Sequence, residues 1–416
     1  MHRHHLAREQ AITLLLFGAL FMLSVSTTTD PDLWWHLRTG ETILSDGIPR
    51  ADIFSFTVPG REWITHEWGS QVIMWLLYDL GGLAALMIVF SLITTVAFGL
   101  VYAVSPGKPR AAGVVCALAA FATHIAVGSR PQMFNLLGVA TVVFLLERLR
   151  AGQLDPRRLW ILPVIVAVWA NLHSGFLLGI ATMCAYALGE HLQRRFAHDE
   201  SALPLAVSRR LGVMAGLSFF AAVLNPSGPK LWLYPLTTLR SGAMREYIQE
   251  WHSPDFHSPH FFPFAALLVL AVASLSLSRR RPTWTELLLL CGTAVAGLQS
   301  MRHIPIFAVV ATPIIARHLD SAWDRARSVD RERPQLGALN WAMAGAGVLG
   351  AVMWISAALS VNDTAIAEEY PVAAVDYLVE TGLADQNGFN AYQWGGYLIW
   401  RSVPVFIDGR ADVYGD

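Results

Sequence analysis

Charge is scarce in this chain. Asp, Glu, Lys and Arg make up 15% of the 416 residues, against about 25% in soluble domains, which excludes an ordinary water-soluble globule and a disordered chain. Neither sign dominates. Thirty basic and 31 acidic residues leave a net charge of −1, so no global field draws the protein to nucleic acid. Cysteine is nearly absent, and Cys116, Cys184 and Cys291 sit in apolar runs without Cys-x-x-Cys spacing. A disulfide framework and a cysteine-built zinc site are thereby excluded. The chain has no internal repeat, and the centres of its apolar runs hold almost no ionisable side chain. Both features disfavour an ion-coupled transporter, which places charges at mid-membrane on repeated, broken helices.

What is abundant is apolar sequence: 54% of residues are hydrophobic and the mean hydropathy is +0.44. A bilayer core takes roughly 20 apolar helical residues per crossing. About eleven runs qualify, at 11–26, 82–104, 111–128, 132–147, 159–171, 174–190, 211–224, 261–278, 285–300, 304–318 and 337–361. The expected fold is an all-α polytopic membrane bundle, residues 1–361, followed by an outer segment, 362–416. With the N-terminus in the cytoplasm, twenty of the thirty basic residues fall on inner segments. The positive-inside rule therefore predicts an N-in, C-out path. The other reading of residues 1–26 is a signal peptide, against which the Ser-Val-Ser-Thr stretch is a poor cleavage match.

On this path the inner loops are Arg-rich linkers, and the polar clusters punctuated by Gly and Pro collect on the outer face. The loop 27–69 is the richest. Asp32 reads as the N-cap of a helix carrying Leu33, Leu37 and Leu44, stopped by Gly47 with Pro49 beyond. A second amphipathic helix starts near Glu67, and both helices are expected to lie along the interface. Trp34, Trp35, Trp63, Trp68 and Trp75 suit either an interfacial belt or stacking on a sugar ring. Asp32 and its neighbour Asp30 serve as caps or turn residues, or as general base at the mouth of the bundle. The one-turn spacing of Asp32 and His36 also suits a divalent metal, with Glu67 or His66 as a further ligand. Arg130 and Arg302, each at an outer span end, either snorkel to headgroups or fork onto a phosphate. His173 and His303 read as helix-end histidines or as site residues.

These residues carry a family resemblance. The segments Asp30-Pro-Asp-Leu-Trp-Trp-His-Leu-Arg-Thr-Gly40, Ile48-Pro-Arg-Ala-Asp52 and His66-Glu-Trp68 resemble the GT-C class of integral-membrane glycosyltransferases, which includes protein O-mannosyltransferase-like and lipid A aminoarabinose transferase-like enzymes. With the tail Asn390-Ala-Tyr-Gln-Trp-Gly-Gly-Tyr-Leu-Ile-Trp400 and Val405-Phe-Ile-Asp-Gly-Arg410, they look like a bacterial multi-pass branch of that class. The resemblance implies transfer of a sugar from a polyprenyl-phosphate carrier to an outer glycan, lipid or protein acceptor, with inversion, in a bacterial inner membrane. It matches Asp32 to the motif base and Asp30 to its acidic neighbour, although Leu33 stands where many of these enzymes have a second acidic residue. Arg130, Arg302 and His303 become donor-phosphate candidates, and Trp34, Trp35, His36, His66, Glu67 and His173 pocket candidates. The alternative is a lipid-linked glycan flippase or a glycan-binding scaffold that catalyses nothing.

In the tail, 371–380 reads as a short helix with Gly382 past its end, and 403–407 as a buried strand turning at Asp408-Gly-Arg410. That is the opening of a small α/β domain. Its 55 residues are near the lower limit for independent folding, so the domain is expected to continue past Asp416. Asp408 and Arg410 read as a structural turn pair.

Overall fold

The computed structural model describes residues 8–197, 202–323 and 337–415; Arg3, the inner-loop residues Arg325, Arg327, Arg331 and Arg333, and Asp416 lie outside these. The described residues form α1 (Arg8–Ser24), α2 (Pro31–Asp46), α3 (Trp68–Val104), α4 (Arg110–Thr123), α5 (Met133–Arg150), α6 (Ile161–Ala170), α7 (Phe176–Phe196), α8 (Leu205–Ala221), α9 (Lys230–Arg240), α10 (Gly242–Tyr247), α11 (Phe262–Leu277), α12 (Trp284–Gln299), α13 (Ile304–Trp323), α14 (Gly337–Glu369), α15 (Val372–Glu380), α16 (Gly395–Trp400) and α17 (Ala411–Tyr414). Each of the eleven apolar runs coincides with a helix. Five stretches, Trp68–Val104, Leu205–Leu224, Pro259–Leu277, Met301–Trp323 and Gly337–Glu369, are long and apolar enough to cross a membrane by length and composition. The chain is a multi-pass membrane protein. At ten residues α6 rises only about 15 Å, too little to span alone.

Helix α13 is the axis of the bundle: every residue from Ile304 to Ala316 is buried, as expected of a helix apolar all round. It packs on α4, whose buried Ala111, Ala112, Val115, Cys116 and Ala119 let the two backbones approach closely. The rim is the opposite. Val213, Phe220, Val269, Val272, Val348 and Met353 are exposed, a surface that suits lipid. At the C-terminal end of α13 lies a buried ionic network. Arg317 bridges Glu147 and Glu286, the latter at 2.5 Å, and Arg150 reaches Glu190 at 2.8 Å.

The first loop folds as its punctuation dictates, with one correction. Asp30, not Asp32, caps α2, accepting the Asp32 N–H at 2.9 Å with Pro31 at the first helical position. Gly47 ends the helix at φ 94°. Helix α3 begins with the helix expected near Glu67 and breaks at Gly81–Gly82. Gly82 has φ 60°, ψ −154°, a conformation essentially confined to glycine.

The tail departs from expectation. Helix α14 runs past the expected boundary at 361 to Glu369, because buried Asn362 is satisfied by the Thr28 N–H and hydroxyl at 2.8 and 2.9 Å. The helix at 372–380 forms, with Gly382 at φ 70° beyond it. The strand at 403–407 does not. No sheet exists among the described residues, and Val405 makes only an isolated bridge to Ser55. Val403 and Val405 are instead buried by side-chain packing in a second core with Leu33, Leu37, Trp63, Tyr397 and Val413, so tail and first loop cohere as one layer.

Candidate active site

A cavity of about 510 Å³ opens under that layer. Its walls come from α2, the turn before α3, the 125–136 and 173–178 segments, α9, the 248–251 turn, the start of α13 and the tail. All the sequence-derived candidates line it except Trp34, which packs edge-on against Tyr370 and Tyr397 and belongs to the tail core. Among the described residues, buried side-chain N or O atoms of the cavity residues Gln71, Gln132 and His303 have neither a hydrogen-bond nor an ion-pair partner. Unpaired polar atoms in residues that line one cavity are the mark of a ligand site rather than of a packed core.

One end is acidic. Arg130 pairs through Nε with Asp30 at 2.7 Å and through Nη1 with Glu250. Its guanidinium is thus committed to two carboxylates and positions Asp30. Asp32 stands beside them without an ion pair, accepting only the Trp35 indole N–H at 2.9 Å. Burial, and then the charge of Asp30, push its pKa up, more than Arg130 and Trp35 pull it down. The tail closes over it: a Cβ on Gly409 would lie 1.9 Å from Asp32 Oδ1, so any larger residue there would push the Asp32 carboxylate aside.

The floor is a carboxylate ringed by imidazoles. Glu67 has the Nε2 atoms of His173, His66 and His36 at 3.0, 3.4 and 3.8 Å. The partners on the far side of each ring assign the protons. His173 Nδ1 accepts from the Gly175 N–H at 2.9 Å and from Asn135, itself fixed by Trp169. Its proton is therefore on Nε2, facing Glu67. His66 Nδ1 faces the Ile64 carbonyl at 3.2 Å and must donate. Its Nε2 faces Glu67 favourably only when protonated as well. Burial would lower the His66 pKa, but Glu67 raises it on balance, whereas burial prevails at His36 and His173 and lowers both. Glu67 is driven well below the usual carboxylate range, burial being overcome by His66 first and His173 next. The metal site that the Asp32 and His36 spacing suggested does not assemble. Asp32 turns to Trp35, the imidazoles turn to Glu67, and no described group of three His, Cys, Asp or Glu can hold an ion.

Arg302 and His303 line the cavity just before α13. Arg302 lies over the Trp251 ring at 5.4 Å, and no carboxylate pairs with it among the described residues. Sequence reading placed the Glu250 cluster on the outer face without naming Glu250 as a site residue, and missed two cavity residues: Tyr234, whose ring lies tilted against His66 at 4.1 Å, and Asp412, whose pKa burial raises. Asp412 is delivered by a latch. Buried Arg410 holds Asp408 at 2.6 Å and Asp52 at 2.6 Å, between the rings of Phe54 and Trp63.

Solved structures share this architecture. The Archaeoglobus fulgidus oligosaccharyltransferase in its apo form superposes over 97% of this chain and 65% of its own, with TM-score 0.53 and 14% identity. The same organism's oligosaccharyltransferase in complex with an inhibitory peptide and a dolichol-phosphate covers 96% of this chain and 64% of its own, with TM-score 0.58 and 12% identity. The chain has the GT-C fold. It spans just under two thirds of the length of the GT-C structures it matches. No family model matches it, and no curated sequence does.

Proposed function

We propose that the chain is a GT-C-type glycosyltransferase that moves a sugar from a polyprenyl-phosphate donor to an acceptor hydroxyl or amine at the outer face of a bacterial inner membrane. Asp32 takes the acceptor proton as the acceptor attacks the anomeric carbon. The bond from that carbon to the phosphate oxygen breaks on the opposite side, and configuration inverts. The electron pair leaves with the phosphate, where Arg302 and His303 stabilise the developing charge. Arg130 holds Asp30 in place, while Trp35, His36, His66, Glu67 and His173 shape the pocket.

The observation carrying this reading is one cavity lined both by a carboxylate and by a guanidinium that have no ion-pair partner among the described residues. A base with a raised pKa is suited to neutral pH, and the dolichol-phosphate complex of the structural neighbour agrees with a lipid-phosphate ligand. A flippase needs a polar path through the membrane. Here Arg302 and the Arg317 network are separated by the wholly buried stretch Ile304–Ala316, about 20 Å at helical rise, which favours the enzyme.

Transfer from a panel of radiolabelled polyprenyl-phosphoryl sugars to membrane acceptors tests the reading. Wild-type protein should label an acceptor, and Asp32→Asn should lower the rate by roughly 10²–10⁴ without loss of fold. Undiminished transfer by that variant would remove Asp32 from the role.

A further inference from the structure

A second cavity, of about 340 Å³, shares no lining residue with the first. It is near the lower end of the range for ligand pockets, room for one compact ring. It lies among α2, α3 on both sides of its break, α14, α15 and α16. Trp34, Tyr78, Tyr397 and Trp400 line it, packed ring against ring at 5.2 to 6.1 Å. Its polar groups are of both kinds. The buried Trp34 indole N–H makes no hydrogen bond, and the nearby Tyr370 hydroxyl donates instead to the Thr29 carbonyl at 2.8 Å. Tyr397 accepts from Arg401 at 3.0 Å, which leaves its own O–H to donate. Exposed Asp363 pairs with no cation among the described residues, whereas Arg401 is committed to Asp376 at 2.7 Å.

We propose that this second cavity binds one sugar ring of a neutral glycan. Three other chemistries fail on the groups present. An anion finds no spare cation, since the Arg401 guanidinium already serves Asp376. An organic ammonium suits aromatic rings and a carboxylate, but it carries no acceptor for the Trp34 N–H or the Tyr397 O–H. A hydrocarbon chain leaves the buried N–H unsatisfied, at the cost of its desolvation. A pyranose answers the whole set. Its hydroxyls accept from Trp34 and Tyr397 and donate to Asp363, while its C–H face lies against an aromatic ring. The ring belongs either to a glycolipid headgroup or to a free glycan, and the same groups recognise both. Binding here is independent of whether the first cavity transfers sugar. It also gives Trp34 a ligand of its own, on the opposite side of the division that sends neighbouring Trp35 to the first cavity.

The test is ligand-observed saturation-transfer NMR on the whole protein in nanodiscs prepared without glycoside detergent. The probes are the methyl glycosides of glucose, galactose, mannose and N-acetylglucosamine, with tetramethylammonium and methyl phosphate as rivals. At least one glycoside should receive saturation through its ring C–H protons, and neither ion should. Trp34→Phe removes the N–H and keeps a ring, and should weaken glycoside binding about threefold or more, a lost hydrogen bond being of that order. Asp363→Asn should weaken it by a similar factor, with an unchanged melting temperature because the side chain is exposed. Asp32→Asn, in the first cavity, should leave it unaltered. The diacylglycerol glycolipid of the binding sugar, doped into the nanodiscs, identifies the source. Displacement of the free glycoside assigns the site to a glycolipid, its persistence assigns the site to a soluble glycan, and both support the proposal. Absence of saturation in every glycoside, stronger saturation of either ion, or glycoside binding that survives both Trp34→Phe and Asp363→Asn overturns it. Each of these results leaves the transfer assay of Asp32 to be decided separately.

Discussion

Glu67 is a carboxylate facing three imidazoles, and Asp32, at the cavity's acidic end, faces no cation at ion-pair distance. The two therefore respond oppositely to loss of charge. Glu67→Gln removes the charge and replaces one of the two acceptor oxygens facing buried N–H groups with a donor, and should destabilise the protein by about 1–3 kcal/mol at neutral pH, measured by denaturation. The pH dependence has a definite sign. The His66 pKa is raised by Glu67, so their attraction is present below the ordinary histidine value and is lost as pH rises through the folded value. The gap between wild type and Glu67→Gln should accordingly narrow on the alkaline side. Asp32 has its carboxyl pKa raised by burial, so its ionised form opposes folding above the ordinary aspartate value. Asp32→Asn should thus melt at or above the wild-type temperature at pH 8, an advantage that shrinks as pH falls, while transfer is lost. A residue that stabilises on neutralisation and abolishes activity is the signature of a functional site. Trp34 teaches the complementary lesson, since its sequence context matched that of Trp35 but its indole packs into the tail core.

At the scale of elements, what was legible was local. Gly47 marks the end of α2, and the helix expected near Glu67 and the apolar run 82–104 correspond to the two halves of α3, because stop signals and local periodicity act over a few residues. Gly82→Ala should cost about 1–3 kcal/mol, read as a lowered melting temperature, since no alanine is comfortable at φ 60°, ψ −154°. The long-range assembly was not legible. The apolar alternation of 403–407 is that of a strand, but burial there comes from packing on the first loop rather than from a ladder, and alternation cannot tell the two apart. Asn362 and the residues after it looked too polar for a helix until Thr28, 334 positions away, supplied the partner. The same holds for Arg410, a turn residue by sequence, whose pairing with Asp52 spans 358 positions. Arg410→Met should release the tail, because it strands two buried carboxylates at a cost of roughly 3–5 kcal/mol. Limited proteolysis after 362 should become faster while the bundle melts unchanged.

Over the whole molecule, the composition dictated a membrane bundle and the distribution of arginine predicted its orientation, but neither indicated that the first loop, α13 and the tail would close round one space. The N-in, C-out path makes its own prediction. A cysteine replacing exposed Glu62 should react with an impermeant maleimide in intact cells, and one replacing exposed Arg280 only after permeabilisation. The central claim is that Asp32 and Arg302, 270 positions apart in the sequence, face a single cavity that receives a lipid phosphate. Cryo-electron microscopy of the full chain with undecaprenyl phosphate tests it most directly. The account predicts phosphate density within hydrogen-bond distance of Arg302, in the same cavity onto which Asp32 opens. Phosphate bound elsewhere, or the two side chains opening onto separate spaces, would contradict it.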